Sequence, residues 1–146
     1  MRLSFGTVCG YTPFDGAEYD YYTTTKGVLE KVKAHVGDVD FAVQPELVSL
    51  LSSRNFGRYA DEKGEMKVCF ISNNDITGGN SGSAMFNSKG ELLGLAFDGN
   101  WEAMGSDILY EPKMQRTIGV DVRYILFMIE KYGKAGNLIR ELNILN

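Results

Sequence analysis

Ser81 lies in a glycine-rich stretch, GGNSGS (residues 78–83), that is followed by short apolar segments. A serine acts as a nucleophile when its hydroxyl is exposed at a tight turn and backbone N–H groups point at the oxyanion that forms on the attacked carbonyl. Glycine allows the backbone angles that aim such N–H groups, because it has no Cβ. On this interpretation Ser81 is the nucleophile, and the N–H groups of Gly79 and Ser81 form the oxyanion hole. The alternative is a flexible turn between two strands, where small residues also accumulate.

A serine nucleophile also needs a base, and the chain contains one histidine, His35. With Asp38 or Asp40, His35 would complete a triad for Ser81. The alternative is a surface or partly buried histidine without a catalytic role, which is the usual state of a lone histidine in a polar stretch. The second interpretation is favoured, so the base is expected to lie outside this chain.

The elements that position Ser81 are predicted to be strands. Residues 66–72, MKVCFIS, are typical of a buried strand, and residues 83–97 predict a hairpin around the turn SKG. Residues 116–122 predict a further short strand. Because a hairpin and not a helix follows the serine, an α/β-hydrolase fold is disfavoured and a chymotrypsin-like barrel is favoured.

Apolar spacing and capping residues predict helices in segments 45–54 and 121–133. A short helical turn is expected in 26–35 and a final turn in 137–142. Asp121 stands where a helix N-cap is expected, and Gly133 is placed to stop that helix. Residues 2–9 alternate between apolar and polar and predict a strand. The expected architecture is a single, mainly β domain spanning residues 1–146 and closed by a C-terminal helix.

The composition restricts the classes of function. The 146 residues carry a net charge of −4, and their charges are interspersed without a basic block, so nucleic acid is not an expected partner. No apolar run is long enough for a membrane span, and the first ten residues lack the pattern of a signal peptide. No cofactor motif is present, and the carboxylates Asp75 and Asp107 are too scattered to predict a metal site. Free thiols at Cys9 and Cys69 are favoured over a disulfide.

Three segments carry a closer resemblance: NNDITGGNSGS (73–83), GELLGLAFDGNWEAM (90–104) and RTIGVDVRYILFMIEKYG (116–133). Together they resemble the bacterial chymotrypsin-like dipeptidyl aminopeptidases, the dipeptidyl-peptidase 7 and 11 family. Residues 2–31 are similar to the segment that enters the second barrel in that family. The resemblance implies an exported bacterial serine exopeptidase, periplasmic, cell-surface or secreted, that removes dipeptides from the free N-terminus of peptides. It implies two barrels, with a large helical domain inserted in sequence, and no cofactor.

The resemblance also implies roles for individual residues. The nucleophile falls on Ser81 and the oxyanion hole on the N–H groups of Gly79 and Ser81. The segment AFDGN would run beside the substrate, with Phe97 and Asn100 among its contacts. Asp98 matches the acidic residue that helps to hold the α-ammonium group of the substrate.

Gly99 matches the position that separates the branches of the family. An arginine there accompanies acidic side chains at the second substrate residue, whereas glycine leaves an uncharged pocket for bulky apolar ones. A pocket without a cation has nothing to pair with a buried carboxylate, which agrees with an apolar preference. One departure from the family occurs, because Ala84 replaces a frequent proline. Asn80 stands where trypsin-like enzymes carry an aspartate that pairs with a newly cut N-terminus, so activation by that ion pair is not expected.

In the resembling family the histidine and aspartate come from the first barrel, far upstream. This chain is therefore expected to be the C-terminal part of a longer enzyme and to be inactive alone. The first barrel and the helical domain would be its partners. Its apolar surface is expected to be exposed, with self-association that includes a homodimer.

Two other functions stay open from the sequence. One is a catalytically inactive β-barrel module that binds peptides beside AFDGN. The other is a fragment of a trypsin-like endopeptidase, which would not need Asp98 to capture a free amine. The aromatic residues Phe97 and Trp101 either line a substrate channel or belong to the core.

Overall fold

The computed structural model describes residues 3–106 and 108–145, which divide into two compact units. The sheet unit comprises the described parts of Met1–Thr23 and Val68–Val122, and the helical unit comprises those of Thr24–Lys67 and Arg123–Asn146. Among the described residues, no helix has the length and apolar character needed to cross a membrane.

A single sheet of five strands, in the order β1-β2-β5-β4-β3, dominates the sheet unit. The strands are β1 Tyr22–Thr24, β2 Lys67–Ser72, β3 Ala84–Phe86, β4 Leu92–Gly99 and β5 Thr117–Asp121. The central strand β5 pairs antiparallel with β2 and β4, and β4 pairs antiparallel with β3. The predicted strand in 66–72, the hairpin in 83–97 and the strand in 116–122 are confirmed. Closure of this sheet into a barrel stays a prediction.

Two glycines allow the ring of Phe70 to lie directly on the sheet. A Cβ on Gly94 of β4 would lie 2.1 Å from the carbonyl oxygen of Val120 and 2.9 Å from the Phe70 ring. A Cβ on Gly119 of β5 would lie 2.7 Å from the same ring. Phe70 is only 6% exposed, so the ring takes the space that two side chains would need. This packing fixes β4, the strand that ends in the residues proposed to meet substrate.

The prediction of a continuous strand over residues 2–9 is wrong for residues 3–9, the described part of that segment. Val8 pairs with Ser72 only as an isolated bridge. The Thr7 N–H donates to the side-chain oxygen of Asn73 (2.6 Å), which takes the place of a strand partner's carbonyl. A Cβ on Gly6 would lie 2.6 Å from that same Asn73 oxygen. Backbone bonds also hold the segment, from the Cys9 N–H to the Ile71 carbonyl (3.2 Å) and from the Asn73 N–H to the Thr7 carbonyl (3.1 Å). The contribution of the Asn73 side chain is not revealed by alternating hydrophobicity.

The helical unit contains α1 Thr25–Ala34, α2 Pro45–Ser52, α3 Val122–Phe127 and α4 Gly136–Arg140. Its core consists of side chains that are at most 2% exposed: Leu51, Phe56, Tyr59, Met66 and Phe127. All four predicted segments are helical, and α1 is a helix of ten residues where the sequence predicts only a short helical turn. The C-terminal helix differs in one respect, because α3 continues as a π-helical turn, Met128–Tyr132, before Gly133 ends it.

A buried tyrosine holds a carboxylate in that π-helical turn. The Tyr59 hydroxyl donates a hydrogen bond to Glu130, and Arg58 and Lys131 lie 3.7 Å and 3.6 Å from the same carboxylate. The Tyr59 hydrogen bond is the main cause that lowers the pKa of the Glu130 carboxyl in the folded chain. A lowered folded-state pKa stabilises the fold above the unfolded pKa, and this stabilisation is lost as the pH falls through the folded value.

The free energy of unfolding of the chain should therefore decrease as the pH falls below about 4.3, the ordinary value for a glutamic acid. In Tyr59→Phe this acid sensitivity should be weaker, because the hydrogen bond to Glu130 is absent. Urea unfolding at a series of pH values measures both slopes. Tyr132→Phe, in the same π-helical turn, is the matched control and should keep the wild-type slope. A Tyr59→Phe slope equal to that of the wild type would contradict this account.

Cys9 and Cys69 are free thiols, as the sequence favoured. Burial is the main cause that raises the pKa of the Cys69 thiol. A protonated, partly buried thiol is a weak nucleophile, so Cys69 is a packing residue of β2.

Candidate active site

The serine loop, residues 77–83, leads into β3 and presents Ser81 at an exposed position. Gly79 has φ +96° and Gly82 has φ +84°, so a left-handed residue lies on each side of the Asn80–Ser81 pair. Among the described residues, no heavy atom lies within 4 Å of a Cβ placed on either glycine. Backbone conformation and not crowding therefore calls for glycine at both positions.

Asn80 closes the serine loop through its backbone and its side chain. Its N–H donates to the Thr77 carbonyl (3.2 Å), and its Oδ1 accepts the Thr77 N–H (2.9 Å). Its carbonyl accepts the Ser83 N–H at 2.9 Å. The amide of Asn80 thus makes a local bond where an aspartate of a trypsin-like enzyme would make an ion pair. The conformation of the serine loop is set by residues of the loop itself.

The end of the serine loop is bonded to β4. The Gly82 N–H donates to the Ala96 carbonyl (2.7 Å), and the Ala96 N–H donates to the Ser83 carbonyl (2.8 Å). The Ser81 hydroxyl lies 3.5 Å from the carbonyl oxygen of Phe97, at the outer limit of a hydrogen bond. These contacts place the candidate nucleophile beside the strand that carries the predicted substrate contacts.

A bulge in β4 shapes this neighbourhood. Ala96 faces Gly119 and Asp98 faces Ile118 across the ladder, so Phe97 is the extra residue. A bulge bends its strand and re-aims a side chain. Phe97 is 61% exposed, so it does not belong to the core of the described chain. The alternation in the sequence could not show this bulge, because it depends on pairing with β5.

Two N–H groups of the serine loop are available for an anionic ligand. Within the part of the chain that the structure describes, neither the Gly79 N–H nor the Ser81 N–H donates a hydrogen bond. Donors of this kind stabilise the oxyanion of an acyl-transfer intermediate when they converge on it. The arrangement is compatible with the oxyanion hole that the sequence predicted.

Asp98 and Gly99 follow the bulge at the end of β4. Asp98 is exposed, and its Oδ1 accepts the N–H of Gly99 at 2.8 Å. Gly99 is crowded on the side where a side chain would project, since a Cβ there would lie 2.9 Å from the Cβ of Ala103. The carboxylate is thus presented to solvent, and a side chain at position 99 has no free space in the present arrangement.

Asn100 uses its side chain to hold the Trp101 segment, a 3₁₀ helix formed by Trp101–Gly105. Its amide donates to Glu102 and to the carbonyl of Met114, both at 2.8 Å, and accepts the Arg116 N–H at 2.8 Å. A direct contact of Asn100 with substrate stays a prediction. The structure gives Asn100 a supporting role that sequence reasoning missed.

Further supporting residues come from the N-terminal segment and from the start of β5. The Tyr11 hydroxyl donates to Glu102 at 2.9 Å, and burial is the main cause that raises the pKa of this phenol. Arg116 is only 6% exposed and donates to the carbonyls of Gly10 and Pro112, both at 2.8 Å. Its guanidinium lies 5.3 Å from the centre of the Tyr11 ring. No local pattern in the sequence identifies these residues, because their partners are distant along the chain.

His35 belongs to the helical unit. Its ring stacks on Phe41 with 4.0 Å between ring centres, and its Nδ1 lies 4.0 Å from a carboxylate oxygen of Asp38. These contacts fit the favoured interpretation of a partly exposed histidine with local partners.

Exposed apolar side chains surround the candidate site in sequence: Phe86, Phe97, Trp101, Met104, Ile108 and Leu109. Trp101 is 83% exposed and likewise lies outside the core of the described chain. The expected exposure of apolar surface is confirmed, whereas self-association stays a prediction. The scattered carboxylate Asp75 is exposed, and Asp107 lies outside the described residues.

The sequence matches the Peptidase S46 family over residues 1–144. It is 58% identical over 144 residues to dipeptidyl-peptidase 7 of Porphyromonas endodontalis, covering 99% of this chain and 17% of that protein. It is 45% identical over 145 residues to the Asp/Glu-specific dipeptidyl-peptidase of Capnocytophaga gingivalis, covering 99% of this chain and 20% of that protein. The fold is similar to the crystal structure of Porphyromonas endodontalis DPP11 in complex with the dipeptide Arg-Glu, with a TM-score of 0.89 and 43% identity over 94% of this chain and 20% of that one. The chain spans about a fifth of the length of these relatives and belongs to the Peptidase S46 family.

Proposed function

We propose that this chain carries the serine nucleophile, the oxyanion hole and part of the substrate pocket of a dipeptidyl aminopeptidase. The observation that carries the proposal is the serine loop, in which an exposed Ser81 lies between the left-handed Gly79 and Gly82. The N–H groups of Gly79 and Ser81 supply donors for the oxyanion. The relatives named dipeptidyl-peptidase 7 and Asp/Glu-specific dipeptidyl-peptidase support the same reaction.

The reaction is acyl transfer. The Ser81 oxygen attacks the carbonyl carbon of the second substrate residue, and a histidine outside this chain takes the hydroxyl proton. The resulting oxyanion accepts hydrogen bonds from the N–H groups of Gly79 and Ser81. The peptide C–N bond then breaks, and the leaving amine takes the proton from the histidine. Water, deprotonated by the same histidine, hydrolyses the ester between Ser81 and the dipeptide and releases a free carboxylate.

In this proposal the sheet unit belongs to the second barrel of a chymotrypsin-like catalytic domain. The first barrel supplies the histidine and its aspartate, and a helical domain covers the N-terminal end of the substrate. The exposed side chains of Phe97 and Trp101 lie on the unit that would meet these partners. The chain alone then lacks a base and is inactive. Export to the periplasm or cell surface is part of the proposal and is tested by fractionation of the producing cells.

Gly99 gives the proposed pocket its apolar preference. No cation is contributed at this position, so a buried carboxylate at the second substrate residue would have no partner there. Four relatives named dipeptidyl-peptidase 7 are 48–58% identical to this chain, whereas four Asp/Glu-specific relatives are 40–45% identical. Both observations favour substrates with Leu, Met or Phe as the second residue.

Mass spectrometry of peptide digests tests this function in the full-length protein. Peptides with an apolar second residue should lose an intact dipeptide, and the same peptides with an acetylated N-terminus should stay uncut. Internal cleavage of the acetylated peptides would favour a trypsin-like endopeptidase. Binding of the peptides without any cleavage would favour an inactive peptide-binding module.

Asp98→Asn in the full-length protein should lower kcat/KM for dipeptidyl substrates at least about tenfold, because the neutral amide loses the ion pair with the α-ammonium group. The substitution keeps an oxygen that can accept the Gly99 N–H, so β4 should stay intact. Steady-state kinetics on a dipeptidyl fluorogenic substrate measure the loss. Asp15→Asn, an exposed carboxylate of the same unit, is the control. Equal kcat/KM values for Asp98→Asn and the wild type would remove Asp98 from the substrate site.

A further inference from the structure

We propose that Ala103 is a specificity-determining residue, whose methyl group forms the wall of the second-residue pocket behind Gly99. The inference rests on the proposed function, in which Gly99 lines that pocket. It assigns to the Trp101 segment a role in substrate choice that its sequence does not reveal.

Positions 99 and 103 lie close together. A Cβ placed on Gly99 would lie 2.9 Å from the Cβ of Ala103 and 3.9 Å from the carbonyl oxygen of Arg116. Non-bonded carbon atoms prefer separations of about 3.5–4.0 Å, so the first distance is a clash. Gly99 is not one of the glycines with positive φ. A side chain at position 99 would therefore meet a crowded space in this structure, although the backbone conformation there does not require glycine.

Ala103 lies in the direction in which a side chain at position 99 would project. A side chain at position 99 that reached the substrate would start along the Cα–Cβ bond of residue 99. Ala103 lies in that direction, because its Cβ is the nearest atom to the ideal Cβ of Gly99. The methyl group of Ala103 thus occupies the space into which a side chain at position 99 would project.

Hydrogen bonds hold the Trp101 segment, and with it Ala103, beside Gly99. The Asn100 N–H donates to the Arg116 carbonyl at 2.9 Å, and the Asn100 side chain bonds to Glu102 and Met114. Tyr11 binds Glu102 from the N-terminal segment. Because bonds from separate parts of the sheet unit hold the segment, the position of Ala103 is fixed.

Positions 99 and 103 are therefore coupled. A larger residue at 103 should shorten the pocket, and glycine at 103 should deepen it. An arginine at 99 needs the space that the Ala103 methyl group takes. Conversion of the pocket to one for acidic side chains should then require a smaller residue at 103 in addition to arginine at 99.

Kinetics of the full-length protein test the pocket wall. The readout is kcat/KM for dipeptidyl coumarylamides whose second residue is Ala, Leu, Phe or Asp. In Ala103→Val the Phe-to-Ala ratio should fall about tenfold or more, and in Ala103→Gly it should rise. Gly105→Ala adds a methyl group on the same segment where no described atom lies within 4 Å, and it should leave the ratios unchanged. Gly99→Arg with Ala103→Gly should cleave after Asp at least about tenfold faster than Gly99→Arg alone.

The outcomes separate this inference from the proposed function. If Ala103→Val and Ala103→Gly change kcat/KM equally for all substrates, Ala103 is only structural and the inference is overturned, while the peptidase function stands. If Ala103→Val does not fold, the Ala103→Gly ratio and the Gly99→Arg pair decide by themselves. Failure of the wild-type protein to release any dipeptide would overturn the proposed function and this inference together.

Discussion

Ser81→Ala should lower the kcat/KM of the full-length protein for dipeptidyl substrates by about 10⁴-fold or more. The alanine variant has no oxygen that can form the acyl-enzyme, although the oxyanion donors and the pocket stay in place. The Ser81 hydroxyl is exposed and its hydrogen bond to the Phe97 carbonyl is weak at 3.5 Å, so its removal should leave the fold unchanged. Steady-state kinetics together with thermal unfolding measure both consequences.

Ser83→Ala is the matched control for that experiment. Ser83 is an exposed serine of the same loop, and it contributes its backbone groups to the bonds with Asn80 and Ala96. Its alanine variant should therefore keep most of the activity. Wild-type turnover in Ser81→Ala would show that Ser81 is not the nucleophile. Loss of turnover in Ser83→Ala instead would lead to the same conclusion.

Asn80→Ala should lower kcat about 10- to 100-fold with little change in KM. The side-chain oxygen of Asn80 accepts the Thr77 N–H, and this bond helps to fix the turn that presents the Gly79 and Ser81 donors. Loss of one oxyanion donor costs about 10²- to 10³-fold in kcat, and a displaced donor should cost somewhat less. Asn80→Asp keeps an oxygen at this place and should lose less activity than Asn80→Ala.

A control with the same chemistry separates positioning from stability. Asn87 uses its side-chain oxygen to accept the N–H groups of Lys89 and Glu91 in the turn between β3 and β4. Asn87→Ala should lower the thermal stability without a selective effect on kcat. Equal effects of the two alanine variants on kcat, or a loss in Asn80→Ala that appears only in KM, would argue against a positioning role for Asn80.

Local patterns predicted the elements whose cause is local. Pro45 begins α2 and Gly133 ends the π-helical turn, because the conformational limits of proline and glycine act within one turn of helix. The hairpin around SKG and the strand Thr117–Asp121 follow from alternation that the sheet keeps. The left-handed conformation of Gly79 and Gly82 beside Ser81 also has a local cause, because glycine adopts it without a steric cost.

The features that sequence reasoning missed depend on distant partners. The bulge at Phe97 exists only in pairing with β5. The strand expected in residues 2–9 is reduced to a bridge at Val8, with further bonds to Asn73. The bonds of the Asn100 amide to Glu102, Met114 and Arg116 also depend on tertiary structure, while its contact with substrate stays a prediction. The contact between Gly99 and Ala103 likewise arises where the Trp101 segment folds back on β4. Such contacts join residues through tertiary packing, which periodicity does not encode.

The most direct test of the central claim is covalent labelling of the full-length protein with a fluorophosphonate probe. Intact mass would count the adducts, and peptide mapping would locate them. The account predicts a single adduct on Ser81, with no adduct in the Ser81→Ala variant. A folded protein that takes no adduct, or takes it on another serine, would contradict the assignment of Ser81 as the nucleophile of a dipeptidyl aminopeptidase.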